Sequence, residues 1–101
     1  MELKITKLLG YGGNVYVIIV YDVGEKRVNK VCQFLRRYLN WIQNSVFEGE
    51  LTISEIEKIK LELRKVINLE EDSIIFYMFR SEKAMKKFVM GVSKADMGQI
   101  I

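Results

Sequence analysis

Two apolar runs and two helical stripes organise this chain. The first run, VYVIIVY at Val15 to Tyr21, is β-branched or aromatic at every position. It is continuous rather than alternating, which predicts a central strand covered on both faces. It stops at Asp22, and Val23-Gly24 breaks it. From Glu25 to Leu39, the residues Val28, Val31, Cys32, Leu35 and Leu39 recur at i, i+3, i+4, i+7 and i+11, the apolar stripe of a helix. Lys26, Lys30, Gln33 and Arg37 form a polar stripe on that helix, with Arg27 and Arg36 beside it. Trp41 to Leu51, WIQNSVFEGEL, reads as extended, with Asn44 and Gly49 as weak breakers: one kinked strand or two short ones. Then TISE, Thr52 to Glu55, is a capping box, in which hydroxyl and carboxylate satisfy each other's backbone amides at a helix start. Ile56, Ile59, Leu63 and Val66 supply the buried stripe of that second helix, and its mixed Glu, Lys and Arg positions read as a solvated face. NLEED is a loop, and SIIFYMF, Ser73 to Phe79, is a second heavily apolar strand. RSEKAMKKF fits a helical turn or a polar lead-in to a strand at Phe88 to Met90.

The order is strand, helix, strand or strand pair, helix, strand and a further strand. That is the split β-α-β-β-α-β plan, an α+β ferredoxin-like fold with both helices on one face of a mainly antiparallel sheet. Two helices leave the other face open, yet both strand runs are apolar on both sides. Exposing such side chains forgoes roughly 1.5–3 kcal/mol for each one. A second copy packed through a two-fold interface removes that loss, so a homodimer is expected. The closing QII, Gln99 to Ile101, is expected to add a C-terminal extra strand to the partner's sheet edge. Before the first strand, GYGGN places three glycines in four positions and predicts a mobile turn. It is not a phosphate-cradling loop, because a strand rather than a helix follows it. Residues 1–14 are thus expected to be a mobile extension, and 15–101 a single domain.

Composition narrows the chemistry. The chain has 101 residues, 50% of them hydrophobic, which excludes disorder and suits one domain with one modest core. No apolar run approaches the ~18–20 residues that span a bilayer, and MELKITKLLG does not read as a signal peptide. The single cysteine, Cys32, lies on the apolar stripe as a core thiol and fits a cytoplasmic setting. There is no histidine, which removes the usual general base near neutral pH and the commonest transition-metal ligand. The net charge of +3 permits a nucleic-acid partner without arguing for one.

Asp22, at the end of a central strand, has two readings. It is a turn or N-cap residue, or it is a metal ligand. Carboxylate oxygen suits magnesium or manganese, and a two-fold axis could bring two Asp22 side chains together to share one cation. Such a cation polarises a phosphodiester and activates water without histidine. Glu70, Glu71 and Asp72 resemble a metal cluster only superficially and read as a solvated loop.

YVIIVYD, KRVNKVCQFL, IQNSVFEGELT, LEEDSIIFY and VMGVSKADMGQII together resemble the CRISPR-associated protein two family, from about Val15 to the C-terminus. The resemblance implies a ferredoxin-like homodimer whose sheets face each other. It implies a place in CRISPR adaptation, with the dimer holding a short DNA duplex between copies of the CRISPR-associated integrase, protein one of the system. It also implies a magnesium-dependent endonuclease acting on RNA or DNA. Asp22 is then the catalytic and metal-binding residue, Tyr21 stands beside it, and Phe47 and Ser45 match the family's SVF segment.

Lys26, Arg27, Lys30, Arg36 and Arg37 are candidates to track a nucleic-acid backbone, against the plain alternative of a solvated helix face. Lys83, Lys86 and Lys87 are a second candidate patch, and Trp41 is either a base-stacking platform or core. Nothing points to base-specific readout, so duplex DNA, or single-stranded RNA for a nuclease, would be held by shape and charge. A toxin-like RNA-cleaving dimer of similar topology is the alternative function.

Overall fold

The Val15 to Tyr21 run forms the heart of β1 (Asn14–Asp22), a strand with a hydrogen-bonded neighbour on each side. In chain order there follow α1 (Glu25–Leu35), β2 (Asn40–Gln43), β3 (Val46–Thr52), α2 (Ile53–Val66) and β4 (Ser73–Phe79), then a short 3-10 turn at Glu82–Ala84. This computed structural model describes residues 13–95. The sheet order is β2-β3-β1-β4, with every neighbouring pair antiparallel. This is the ferredoxin-like α+β arrangement.

Strand parity divides the side chains between two faces. Val15, Val17, Ile19 and Tyr21 of β1 point inward with Phe47 and Leu51 of β3. The helices close over that face with Val31 and Leu35 of α1, and with Ile56, Ile59 and Leu63 of α2. β4 contributes Ile74, Phe76 and Met78 to its margin. The alternate residues of the three long strands lie on the other face, which neither helix covers.

Both local signals at the start of α2 hold. Thr52 Oγ1 accepts from the Glu55 amide at 3.0 Å, and Glu55 Oε1 accepts from the Thr52 amide at 2.9 Å. WIQNSVFEGEL is two strands rather than one kinked strand. They turn at Asn44, whose φ of 40° is a left-handed value that asparagine tolerates. The Trp41 indole N–H donates to the Asn44 carbonyl at 3.0 Å and closes the turn, and its ring packs against the core. Gly49 does not break β3. It is buried within the strand, and a Cβ there would approach Leu39 Cδ2 to 3.0 Å.

Two expectations are corrected. The first helix stops at Leu35 instead of Leu39. Arg36 to Leu39 continue as a hydrogen-bonded turn, with the Tyr38 and Leu39 amides both reaching the Leu35 carbonyl. The chain must reverse to begin β2 at Asn40, and a tightened last turn still delivers Leu39 to the core. No strand forms at Phe88 to Met90, where Phe88 and Met90 are each 85% exposed. A strand needs a neighbour alongside it. Here the segment is tied across the open sheet face instead, through Lys87 Nζ to Glu48 Oε2 at 2.8 Å. The GYGGN turn apart from its last two residues, and the terminal QII, lie outside the described residues.

Candidate functional site

Asp22 is the last residue of β1 and is exposed. It lies on the open face, opposite Ser73 of β4. The same register sets Val20 opposite Ile75 and Ile18 opposite Tyr77. Ile75 and Tyr77 are 45% and 50% exposed, large apolar side chains on the edge strand of a face that neither helix covers. The acidic group therefore stands at the end of an apolar platform.

Tyr21, Ser45 and Phe47 do not join Asp22 on that platform. Tyr21 and Phe47 point to the helix side, are buried, and stack with ring centroids 6.1 Å apart. The Tyr21 amide donates to the Ser45 carbonyl at 3.0 Å, which ties the end of β1 to the β2–β3 turn. Burial, reinforced by the neighbouring Cys32 thiol, pushes the Tyr21 hydroxyl up to about 12, so it stays protonated at neutral pH. These residues hold the strand end that carries Asp22.

Lys26, Lys30, Arg36 and Arg37 are exposed on α1 and the turn after it. Lys30, Gln33 and Arg37 line a groove with Phe34 of α1 and with Glu62 and Val66 of α2, and the Arg37 guanidinium lies 5.1 Å over the Phe34 ring. This groove is on the outer side of the helix layer, opposite the platform. Arg27 is different. Its guanidinium is engaged by Asp72, with Nε 2.6 Å from Oδ2 and Nη2 2.9 Å from Oδ1.

Two acidic residues, Glu48 and Asp72, take parts that the sequence did not assign them. Glu48, 5% exposed, lies on the open face and accepts from the Tyr16 hydroxyl at 2.6 Å as well as from Lys87. Burial, and then the bond to Glu48, raise the Tyr16 hydroxyl well above its ordinary range. Asp72, read from sequence as solvated, has a fully enclosed side chain. The Arg27 hydrogen bonds, helped by the Asn68 and Gly24 amides, hold its carboxyl well below the ordinary 3.8, against the opposing pull of burial. A carboxyl depressed on folding takes up its proton first in the unfolded chain. Its contribution is complete above the ordinary aspartate value and is lost as pH falls below it. Thermal melts of the protein should hold a constant midpoint down to about that pH and then fall, whereas Asp72→Asn should start lower and fall less steeply. Parallel melting-temperature profiles check this.

Among the described residues, no three His, Cys, Asp or Glu side chains gather as a metal site, and no helix is long and apolar enough to cross a membrane.

Residues 15–87 match the family model described as CRISPR associated protein Cas2. A relative from Archaeoglobus fulgidus named CRISPR-associated endoribonuclease Cas2 2 is 54% identical, over 84% of this chain and 92% of its own. One from Methanosarcina acetivorans, named CRISPR-associated endoribonuclease Cas2, is 55% identical over 86% of this chain and all of its own. A crystal structure described simply as cas2 superposes with a TM-score of 0.75 at 40% identity, covering 81% of this chain and 92% of that one. This chain belongs to the CRISPR-associated Cas2 family.

Proposed function

We propose that two copies of this chain pack open sheet face to open sheet face, and that the pair binds short nucleic-acid duplexes during CRISPR adaptation. On this reading the two Asp22 carboxylates form a metal-dependent site that cleaves phosphodiesters. The observation that carries the proposal is the uncovered platform of Ile18, Val20, Ile75 and Tyr77, with Asp22 at its end. Twinning covers the apolar residues and doubles every charge. The exposed Lys26, Lys30, Arg36 and Arg37 then appear on both halves of one body, where each neutralised phosphate adds a salt-sensitive term to binding. A rigid pair with basic flanks suits a scaffold held between copies of the CRISPR integrase. The endoribonuclease names of the Archaeoglobus and Methanosarcina relatives support extending phosphodiester cleavage to this chain.

Among the described residues, one copy supplies a single carboxylate at the platform's end, too few for a metal site of its own. Magnesium keeps several waters and takes only one or two carboxylates, so it fits as an ion shared by two copies. When bound there it would polarise a phosphate oxygen and acidify a bound water. The chain's own cations would hold the substrate backbone, and the buried Tyr21–Phe47 stack would keep the strand end rigid.

The test compares the wild-type protein with Asp22→Asn on single-stranded RNA and duplex DNA, with and without magnesium. Cleavage should require magnesium and fall to background in the variant. Equal cleavage by both proteins contradicts the assignment. Among the described residues no other acidic, cysteine or histidine group gathers with Asp22 as a metal site, which favours a second reading, a scaffold without chemistry. Duplex binding that survives Asp22→Asn, with no cleavage by either protein, supports that one.

A further inference from the structure

The backbone that carries Asp22 is clamped from behind. The Asp72 carboxylate receives the Gly24 amide at 2.8 Å and Arg27 Nη2 at 2.9 Å on Oδ1. On Oδ2 it receives Arg27 Nε at 2.6 Å and the Asn68 amide at 2.8 Å. Two donors on each oxygen fill the acceptor capacity of a carboxylate. These donors come from both sides of the platform's end. Gly24 lies two residues beyond Asp22, and Asn68 opens the loop into β4. Asp72 immediately precedes Ser73, the cross-strand partner of Asp22. Gly24 adjoins the same device, because a Cβ there would stand 2.6 Å from Arg27 Nη2 and the guanidinium would have to shift to admit it.

We propose that Asp72 is the positioning residue for Asp22: through the Gly24 amide, and braced by Arg27, it fixes the turn after β1 so that the Asp22 carboxylate is presented in one place at the platform's end. This rests on the reading of Asp22 as the metal-binding and cleaving residue. A carboxylate that must meet its twin across an axis gains little from an adaptable turn, since preorganisation is what makes such a pair effective. It follows that Arg27, although basic and on α1, works inside the fold and not on nucleic acid.

The experiment uses full-length Asp72→Asn and Arg27→Gln, with Asp22→Asn as a control. Three quantities are read: hydrogen exchange at the Gly24 amide, broadening of the Val23 and Gly24 resonances by Mn2+, and kcat and KM on single-stranded RNA. In Asp72→Asn the Gly24 amide should exchange about tenfold faster. The Mn2+ needed for half-broadening should rise about tenfold, and kcat should fall about tenfold with KM unchanged, the range typical of groups that orient a metal ligand. Arg27→Gln should move all three in the same direction by less, and it decides the matter if Asp72→Asn fails to fold. A variant that melts earlier yet keeps wild-type Mn2+ response and kcat shows a merely structural tie and overturns the proposal. Wild-type cleavage by Asp22→Asn would instead sink the site, and Gly24 exchange together with Mn2+ broadening would still decide the clamp.

Discussion

Replacing Phe47 by alanine is expected to destabilise the protein by about 3–5 kcal/mol, the usual range for emptying a buried aromatic site. Against the roughly 5–15 kcal/mol that holds a small domain together, such a loss removes a large share of the stability. Phe47 has no exposed surface and sits between Ile19 and Trp41 in the sheet register. It also stacks on Tyr21, so its removal opens a hole beneath the end of β1. Urea titrations of wild type, Phe47→Ala and Phe47→Leu measure the effect. Leucine should recover most of the stability because it refills most of the volume. It should also keep whatever cleavage the protein has, since Phe47 lies on the helix side of the sheet. Loss of cleavage by a stable Phe47→Leu would give the ring a chemical part after all.

Replacing Ile75 by lysine is expected to leave the fold intact and break the pair. Ile75 faces away from the helices and is 45% exposed in one chain, so the core does not depend on it. Pairing buries its exposed half, roughly half of the 1.5–3 kcal/mol for a whole side chain, and a two-fold axis applies the change twice. Association should weaken by roughly ten- to a hundredfold, before any repulsion between the new cations is added. Circular dichroism should be unchanged while sedimentation shows a single chain. An unchanged dimer would place the interface elsewhere.

Much of this fold is legible in residue order. VYVIIVY and SIIFYMF read as strands and form β1 and β4, and TISE writes the start of α2 in its own hydrogen bonds. Strand parity alone could have separated the site. Tyr21 and Asp22 are consecutive on one strand and must point to opposite faces, so the tyrosine belongs to the core whenever the aspartate is exposed. Other features depend on contacts far apart in sequence. Asp72 reads as one more acid in NLEED until Arg27 and Gly24, 45 and 48 residues away, meet it. Glu48 reads as a polar strand position until Tyr16 and Lys87 enclose it. The end of α1 is not legible for a related reason. Leu39 keeps the helical spacing, but a turn delivers it to the core as well as a helix would, and periodicity does not distinguish the two.

Sedimentation equilibrium of the full chain at micromolar concentration tests the central claim most directly. Pairing through the open sheet predicts a species of twice the 11.8 kDa chain mass, reduced to a single chain by Ile75→Lys. A wild-type protein that sediments as one chain throughout would contradict it.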